Sequence, residues 1–430
     1  MNKPTVRRGW LPGALLCAPL CAMLAGPALA APLELGGDLP SLLAYARDHH
    51  PEFAAMRHEA AAAAARADVA DSLPDPMFKA ELANVTNAGS DAGLNLLPSR
   101  VGSTRYTFSQ SLPWPGKLGL RKEVAEANLT EAQQKATATR RDLARMLRQT
   151  YARHHVVHAS LGFASHNLDL LTQLEQIART RYANGIAAQQ DVIRAQTERS
   201  MLLTEIAALE GENEQLQART RALLGNPPDL KLLPPLALNV WATAAKVEPK
   251  ALAEALRAAN PWVVAEEARV LAAERGKELA YRNRYPDFNL GVTPMQTRNR
   301  VEGWDLMLEL NIPLQFARRR SEEREAERML DAARSRREAA LNQAQSELAE
   351  SLAMLNSARR MDELVKTRLL PQAELTLHAA LAAYENGKVD FATVLDAQRQ
   401  VRKSKEEGVK ARAEQLMRLA DIERLTGVEL

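Results

Sequence analysis

The chain has 430 residues, 46% of them hydrophobic and only 4% aromatic, with a formal net charge of +3. Lys3, Arg7 and Arg8 account for that excess: without them 53 basic residues face 53 acidic ones, which removes the electrostatic case for nucleic-acid binding. Both cysteines, Cys17 and Cys21, fall in the first thirty residues, so the rest can form neither a disulfide nor a thiolate metal site.

Residues 1–30 read as a secretory signal. Lys3, Arg7 and Arg8 form the positive region, Leu11 to Leu24 the apolar stretch, and Ala28-Leu29-Ala30 the cleavage signature. Leu16 and Leu20 precede the cysteines where a lipid anchor wants a small residue, which argues against lipidation. No later apolar run reaches the roughly 18 residues of a membrane helix, so any membrane contact must be made by strands.

Residues 31–225 read as a first structural repeat. A short helix breaks at Pro51 into an alanine-rich helix. Strands follow at about 77–83 and 103–112, then a helix from Leu120 to Asn184 with one glycine, Gly162, and no proline. At 1.5 Å per residue that helix is about 100 Å long. Gly185 then suits a left-handed C-cap, after which the chain reverses into a second helix. Residues 226–249 are rich in proline and read as a linker.

Residues 250–430 repeat the order: strands at about 287–294 and 303–312, a helix from Ala317 to Asn386 holding one proline, Pro371, and a tip at Gly387. The match is local as well as general. Tyr182-Ala183-Asn184-Gly185 parallels Tyr384-Glu385-Asn386-Gly387, and Val192-Ile193-Arg194-Ala195-Gln196 parallels Val394-Leu395-Asp396-Ala397-Gln398. Blocks matched in the same order throughout indicate an internal duplication.

The strands alternate. Phe78, Tyr106, Phe108, Phe288, Leu290, Trp304, Leu306, Leu308 and Leu310 are the expected lipid-facing residues. Lys79, Glu81, Arg105, Asp305 and Glu309 fall on the other side. A half-buried sheet edge gives the same alternation. Along the helices Ala136, Leu143, Val157, Ala164 and Leu171 recur at multiples of seven. So do Leu202, Leu209, Leu216 and Leu223, and Leu341, Leu348 and Leu355, as coiled-coil seams require. Four strands cannot close a membrane barrel, and open edges are not tolerated in hydrocarbon, so the chain must borrow strands from copies of itself. Three copies give twelve strands, although the strand argument alone does not choose three over two.

With the duplication and the paired Tyr-x-x-Gly turns, the sequence resembles the TolC-type outer-membrane efflux factors over essentially all of the chain after the signal. The resemblance implies a mainly α protein with membrane β: a homotrimer forming a twelve-stranded barrel in the outer membrane, continuous with a helical coiled-coil barrel in the periplasm. It implies a periplasmic adaptor and an inner-membrane pump of the resistance–nodulation–division class as partners. It also implies a tip gate, for which the candidates are Tyr182, Gly185, Asp191, Tyr384, Gly387, Lys388 and Asp390. Val389 stands where the family has a basic residue. The segment Gln110-Ser111-Leu112-Pro113-Trp114-Pro115-Gly116-Lys117 is similar to that of the heavy-metal branch, whose pumps expel copper, silver, cobalt, zinc or cadmium. Multidrug or type I secretion ducts of the same family are the alternative. A periplasmic adaptor or a structural coiled coil is the rival of another class.

His154, His155 and His158 have metal-like spacing, but His154 falls on the heptad series Leu147, His154, Leu161, Leu168, which favours an interface histidine. Arg318-Arg319-Arg320 reads as a solvated collar. No nucleophile–base pair, phosphate loop or carboxylate pair stands out, so neither an enzyme nor a cofactor is expected.

Overall fold

A computed structural model describes residues 33–85, 96–98, 101–236, 248–297 and 299–428. The expected signal segment, with both cysteines, lies outside the described residues, as does part of the expected linker.

The chain opens with β1 (Leu33–Leu35), α1 (Leu39–His49) and α2 (Pro51–Val69). Asp38 caps α1, its carboxylate accepting from the Ser41 backbone N–H at 2.9 Å, and Pro51 starts α2 where its missing N–H costs nothing. β2 (Met77–Ala83) and β3 (Ser103–Leu112) precede α3 (Lys117–Ala183), α4 (Gln189–Leu223) and β4 (Leu230–Leu232). The second copy comprises α5 (Pro249–Ala259), α6 (Pro261–Arg282), β5 (Phe288–Thr297), β6 (Arg300–Leu310), α7 (Phe316–Leu364), α8 (Leu370–Glu385) and α9 (Phe391–Thr426).

Two expectations need correction. The Asn226–Pro235 stretch is not only linker: β4 pairs in parallel with β1, placing Leu33 opposite Leu230 and Leu35 opposite Leu232. The Tyr151 hydroxyl fastens the neighbouring chain by donating to the Gly37 carbonyl at 2.9 Å. The second long helix is not uniform either. A π-helical turn, Val365–Leu369, separates α7 from α8 just before Pro371, the residue that can neither donate its helical hydrogen bond nor sit under the carbonyl four residues back.

The helices lie side by side as a wall. In the half nearer the strands α2, α3, α6 and α7 are neighbours in that order. In the half nearer the tips the order is α4, α3, α9 and then α8. The seams hold it: Leu143, Val157, Ala164, Leu171, Leu202, Leu216, Leu348 and Leu355 are all buried. Beyond α3 and α7 the four long strands form one antiparallel sheet of order β2-β3-β5-β6, with β2 and β6 as open edges.

Candidate functional site

Register puts every expected lipid-facing residue on one face of the sheet. Phe78 opposes Phe108, Phe108 opposes Val292, and Val292 opposes Leu306. Leu290 opposes Leu308, Phe288 opposes Leu310, and Tyr106 and Trp304 fall in the same parity. The face is bare, with Leu306 88% exposed and Phe78, Phe108, Leu290, Trp304, Leu308 and Leu310 also exposed. Tyr106 and Phe288 are half-buried, because Tyr106 stacks on Phe78 and Phe288 on Trp114. The opposite face is polar and knitted together. The Thr107 and Thr293 hydroxyls lie 2.9 Å apart, and the Asn289 amide donates to Glu309 at 3.2 Å. A bare apolar face backed by a bonded polar one is what a wall between lipid and water needs.

Where β3 passes into α3 the two copies are pinned. The Lys117 ammonium, on a side chain only 3% exposed, donates to the Asp287 carboxylate at 2.8 Å and to the Tyr285 carbonyl at 2.9 Å. The Trp114 backbone N–H reaches the same carboxylate oxygen at 2.8 Å. The Trp114 ring stacks on Tyr285 and Phe288 at 4.9 and 5.6 Å.

At the other end both tips close by the same motif. Gly185 and Gly387 take φ of +70° and +68°. The Ile186 N–H reaches the Arg181 carbonyl at 2.9 Å and the Lys388 N–H the Ala383 carbonyl at 2.9 Å, the six-to-one bond of a glycine-capped helix. Around this shared backbone the side chains diverge. Tyr384 is 6% exposed, packs at 5.6 Å against Phe391, and lies beneath the Arg181 guanidinium at 4.7 Å. Arg181 also donates to the Tyr384 carbonyl at 3.0 Å. The Tyr384 hydroxyl is buried without a partner among the described residues. Burial pushes its pKa up, the nearby Asp191 adds to the rise, and Arg181 opposes it.

The structure therefore gathers Arg181, Tyr384 and Phe391, with Asp191 near enough to act on the Tyr384 hydroxyl through its charge. Tyr182 and Lys388 stand exposed beside them. Asp390 serves as the N-cap of α9, accepting from the Thr393 N–H at 3.0 Å. Arg181 and Phe391 escaped the sequence reading, because neither belongs to the turn motif and only the fold brings them to the tyrosine.

Above the tip, Arg399 and Arg402 of α9 reach across to Glu198 and Glu205 of α4, with Arg399 Nε 2.8 Å from Glu198 Oε1. Ile193, Thr197, Met201 and Leu395, with the paired Glu198 and Arg399, line a groove of about 620 Å³. Elsewhere, the His154 Nε2 lies 2.9 Å from the Asn213 side-chain oxygen, and burial lowers its pKa.

The family model described as "Outer membrane efflux protein" matches residues 42–226 and 252–428, one segment in each copy. Among solved structures, CusC shares 18% identity at a TM-score of 0.79, covering 91% of this chain and 92% of its own. OprN shares 19% at 0.76, covering 90% and 89%. VceC from Vibrio cholerae shares 18% at 0.75, covering 90% and 96%. Identities this low establish the fold alone. No curated protein matches the chain.

Proposed function

The chain belongs to the outer membrane efflux protein family and is an outer-membrane efflux channel protein, and from that premise we propose that it is the passive exit duct of a tripartite pump for heavy-metal cations. The observation that carries the duct is the sheet. Its apolar face is bare, its polar face is bonded, and its edges β2 and β6 are unpaired, while its strands run into two long helical hairpins. Three copies close twelve strands, the edge of one meeting the edge of the next. The helical wall joins in the same way, α7 and α8 of one copy beside α2 and α4 of its neighbour. The pump supplies energy and selects the cargo.

The tip is the gate. Arg181, Asp191 and Tyr384 hold the two hairpins together there, and opening separates them. A periplasmic adaptor docks on the helical tip, with the groove between Ile193 and Leu395 offering an apolar floor beside charged Arg399 and Glu198. Support for the metal branch comes from the Trp114-Pro115-Gly116-Lys117 junction and its resemblance to that branch.

Planar-bilayer recording tests the duct and its gate. The purified protein should conduct, and replacing Asp191 and Tyr384 together by alanine should raise single-channel conductance. Unchanged conductance in the double variant refutes the gating role. A strain lacking the gene, with and without complementation, should be sensitive to copper, silver, zinc, cobalt or cadmium. Sensitivity confined to hydrophobic antibiotics would make it a multidrug duct instead.

A further inference from the structure

The apolar face of β6 does not stop with the strand. Every second residue continues it: Leu310, Ile312, Leu314 and Phe316 are all exposed, the last two at 70% and 66%. Counted from Trp304 to Leu314, with the four residues past β6 taken as extended, ten steps of about 3.3 Å at a tilt of about 40° span about 25 Å along the membrane normal. That is the height of an outer-membrane apolar band. The hydrocarbon boundary thus falls past the end of β6, and the first turn of α7 meets the headgroup layer.

Basic charge is concentrated there. Arg284, Arg318, Arg319, Arg320 and Arg324 lie among the carboxylates Glu322, Glu323, Glu325 and Glu327, which leaves the basic residues in excess by one. Arg318 is paired with Glu322 at 2.8 Å, and Arg284 with Glu323 at 2.6 Å. Arg319 is spent on the Asn283 carbonyl. Arg320 has no side-chain hydrogen bond or ion pair among the described residues and is exposed. The corresponding junction of the first copy has an exposed arginine, Arg121, at the same helical position but lacks the bare apolar run beside it, since Trp114 is stacked and Lys117 buried.

We infer that the Ile312–Arg320 segment is a binding surface for anionic phospholipid of the periplasmic leaflet, its apolar residues among the acyl chains and Arg318 and Arg320 at the phosphates. The inference rests on the reading of the sheet as a barrel wall. The surface is continuous with the lipid-facing strand, and its charge complements an anionic headgroup. Guanidinium suits phosphate because its planar donors match two phosphate oxygens.

The test uses the full-length oligomer in vesicles of phosphatidylethanolamine and phosphatidylglycerol, in a Cys17→Ala, Cys21→Ala background. Spin labels are placed singly at Leu308→Cys, Leu314→Cys and Phe316→Cys. All three should be accessible to oxygen and shielded from a water-soluble nickel chelate. Separately, native mass spectrometry compares retention of phosphatidylglycerol with that of phosphatidylcholine. The double variant Arg318→Gln, Arg320→Gln should lose the anionic preference by on the order of tenfold while keeping its oligomeric mass. If Leu308 is lipid-exposed but Leu314 and Phe316 face water, this inference fails and the barrel reading stands. If Leu308 also faces water, both fail. An unchanged lipid preference overturns the inference. Dissociation of the double variant would also overturn it, and would assign the surface to contact between copies.

Discussion

The two copies of the duplicated unit differ at both ends, and in opposite senses. At the strand-to-helix junction the first copy is sealed, with Lys117 buried against Asp287, whereas the second leaves Leu314 and Phe316 bare. At the tip the first copy turns Tyr182 outward, 47% exposed, whereas the second buries Tyr384. The backbone motifs are the same in both places. A duplicated scaffold thus keeps its turns and strands where geometry demands them. It diverges where one copy must be anchored and the other must present a surface.

Breaking the sealed junction should have the largest effect on global stability. Lys117→Met takes the ammonium from the Tyr285 carbonyl and from the partly exposed Asp287 carboxylate, which keeps the Trp114 N–H, and should cost about 2 kcal/mol. Thermal unfolding of the oligomer in detergent measures it. Arg318→Gln, at the exposed junction of the other copy, should stay within about 1 kcal/mol, as exposed ion pairs do. Comparable losses at the two sites would remove the distinction between a sealed and an open junction.

The tips give the next contrast, a local one. Tyr384→Ala empties a site packed by Phe391 and Arg181 and should cost about 2–3 kcal/mol locally, whereas Tyr182→Ala should be within about 0.5 kcal/mol. Conductance should follow the same order. Tyr384→Phe sharpens the comparison. It removes a hydroxyl that has no partner among the described residues, so stability should hold or rise slightly. A raised conductance in that variant would mean that the hydroxyl finds its partner on another copy. Smaller again are the turn glycines. Gly185→Ala and Gly387→Ala should each cost about 1–2 kcal/mol, since both sit in the left-handed region with open space around them. Equal costs are expected because the backbone is the one feature the tips share.

How much of this was legible in the sequence follows from the same contrast. The mainly helical fold, the duplication and the apolar face of the sheet were legible, because a two-residue period and a seven-residue period repeat over many residues. The parallel pairing of Leu33–Leu35 with Leu230–Leu232 was not, since three residues carry no period and their partners lie far along the chain. Nor was the difference between Tyr182 and Tyr384. Both open the same motif, and burial is decided by Arg181 and Phe391, which arrive from other elements. In the sequence Lys117 is only one residue of a junction segment, because a lysine gives no sign there that it will be buried. The position of Asp390 beside the turn marks it as a gate candidate, and its role as the cap of α9 shows only in its hydrogen bonds to Thr393.

That cap sets up the smallest contrast, one of pH. α9 begins with Asp390, whose carboxylate accepts from the Thr393 hydroxyl and backbone N–H, while the matching position before α4 is Ala188, which has no side-chain acceptor. The Thr393 hydroxyl and then its N–H hold the Asp390 pKa below the ordinary carboxylate value. A carboxyl whose pKa is lowered on folding adds stability that is present above its unfolded pKa, about 3.9, and lost as pH falls through the folded value. Amide exchange, corrected for intrinsic rates, should therefore show the first turn of α9 losing protection in acid. The Asp390 effect is absent from the first turn of α4. Asp390→Asn keeps an acceptor that does not titrate, so it should retain the protection and abolish this pH dependence. If the variant still loosens in acid as the parent does, the carboxylate is not what fixes the start of α9, and the second tip has no capping advantage over the first.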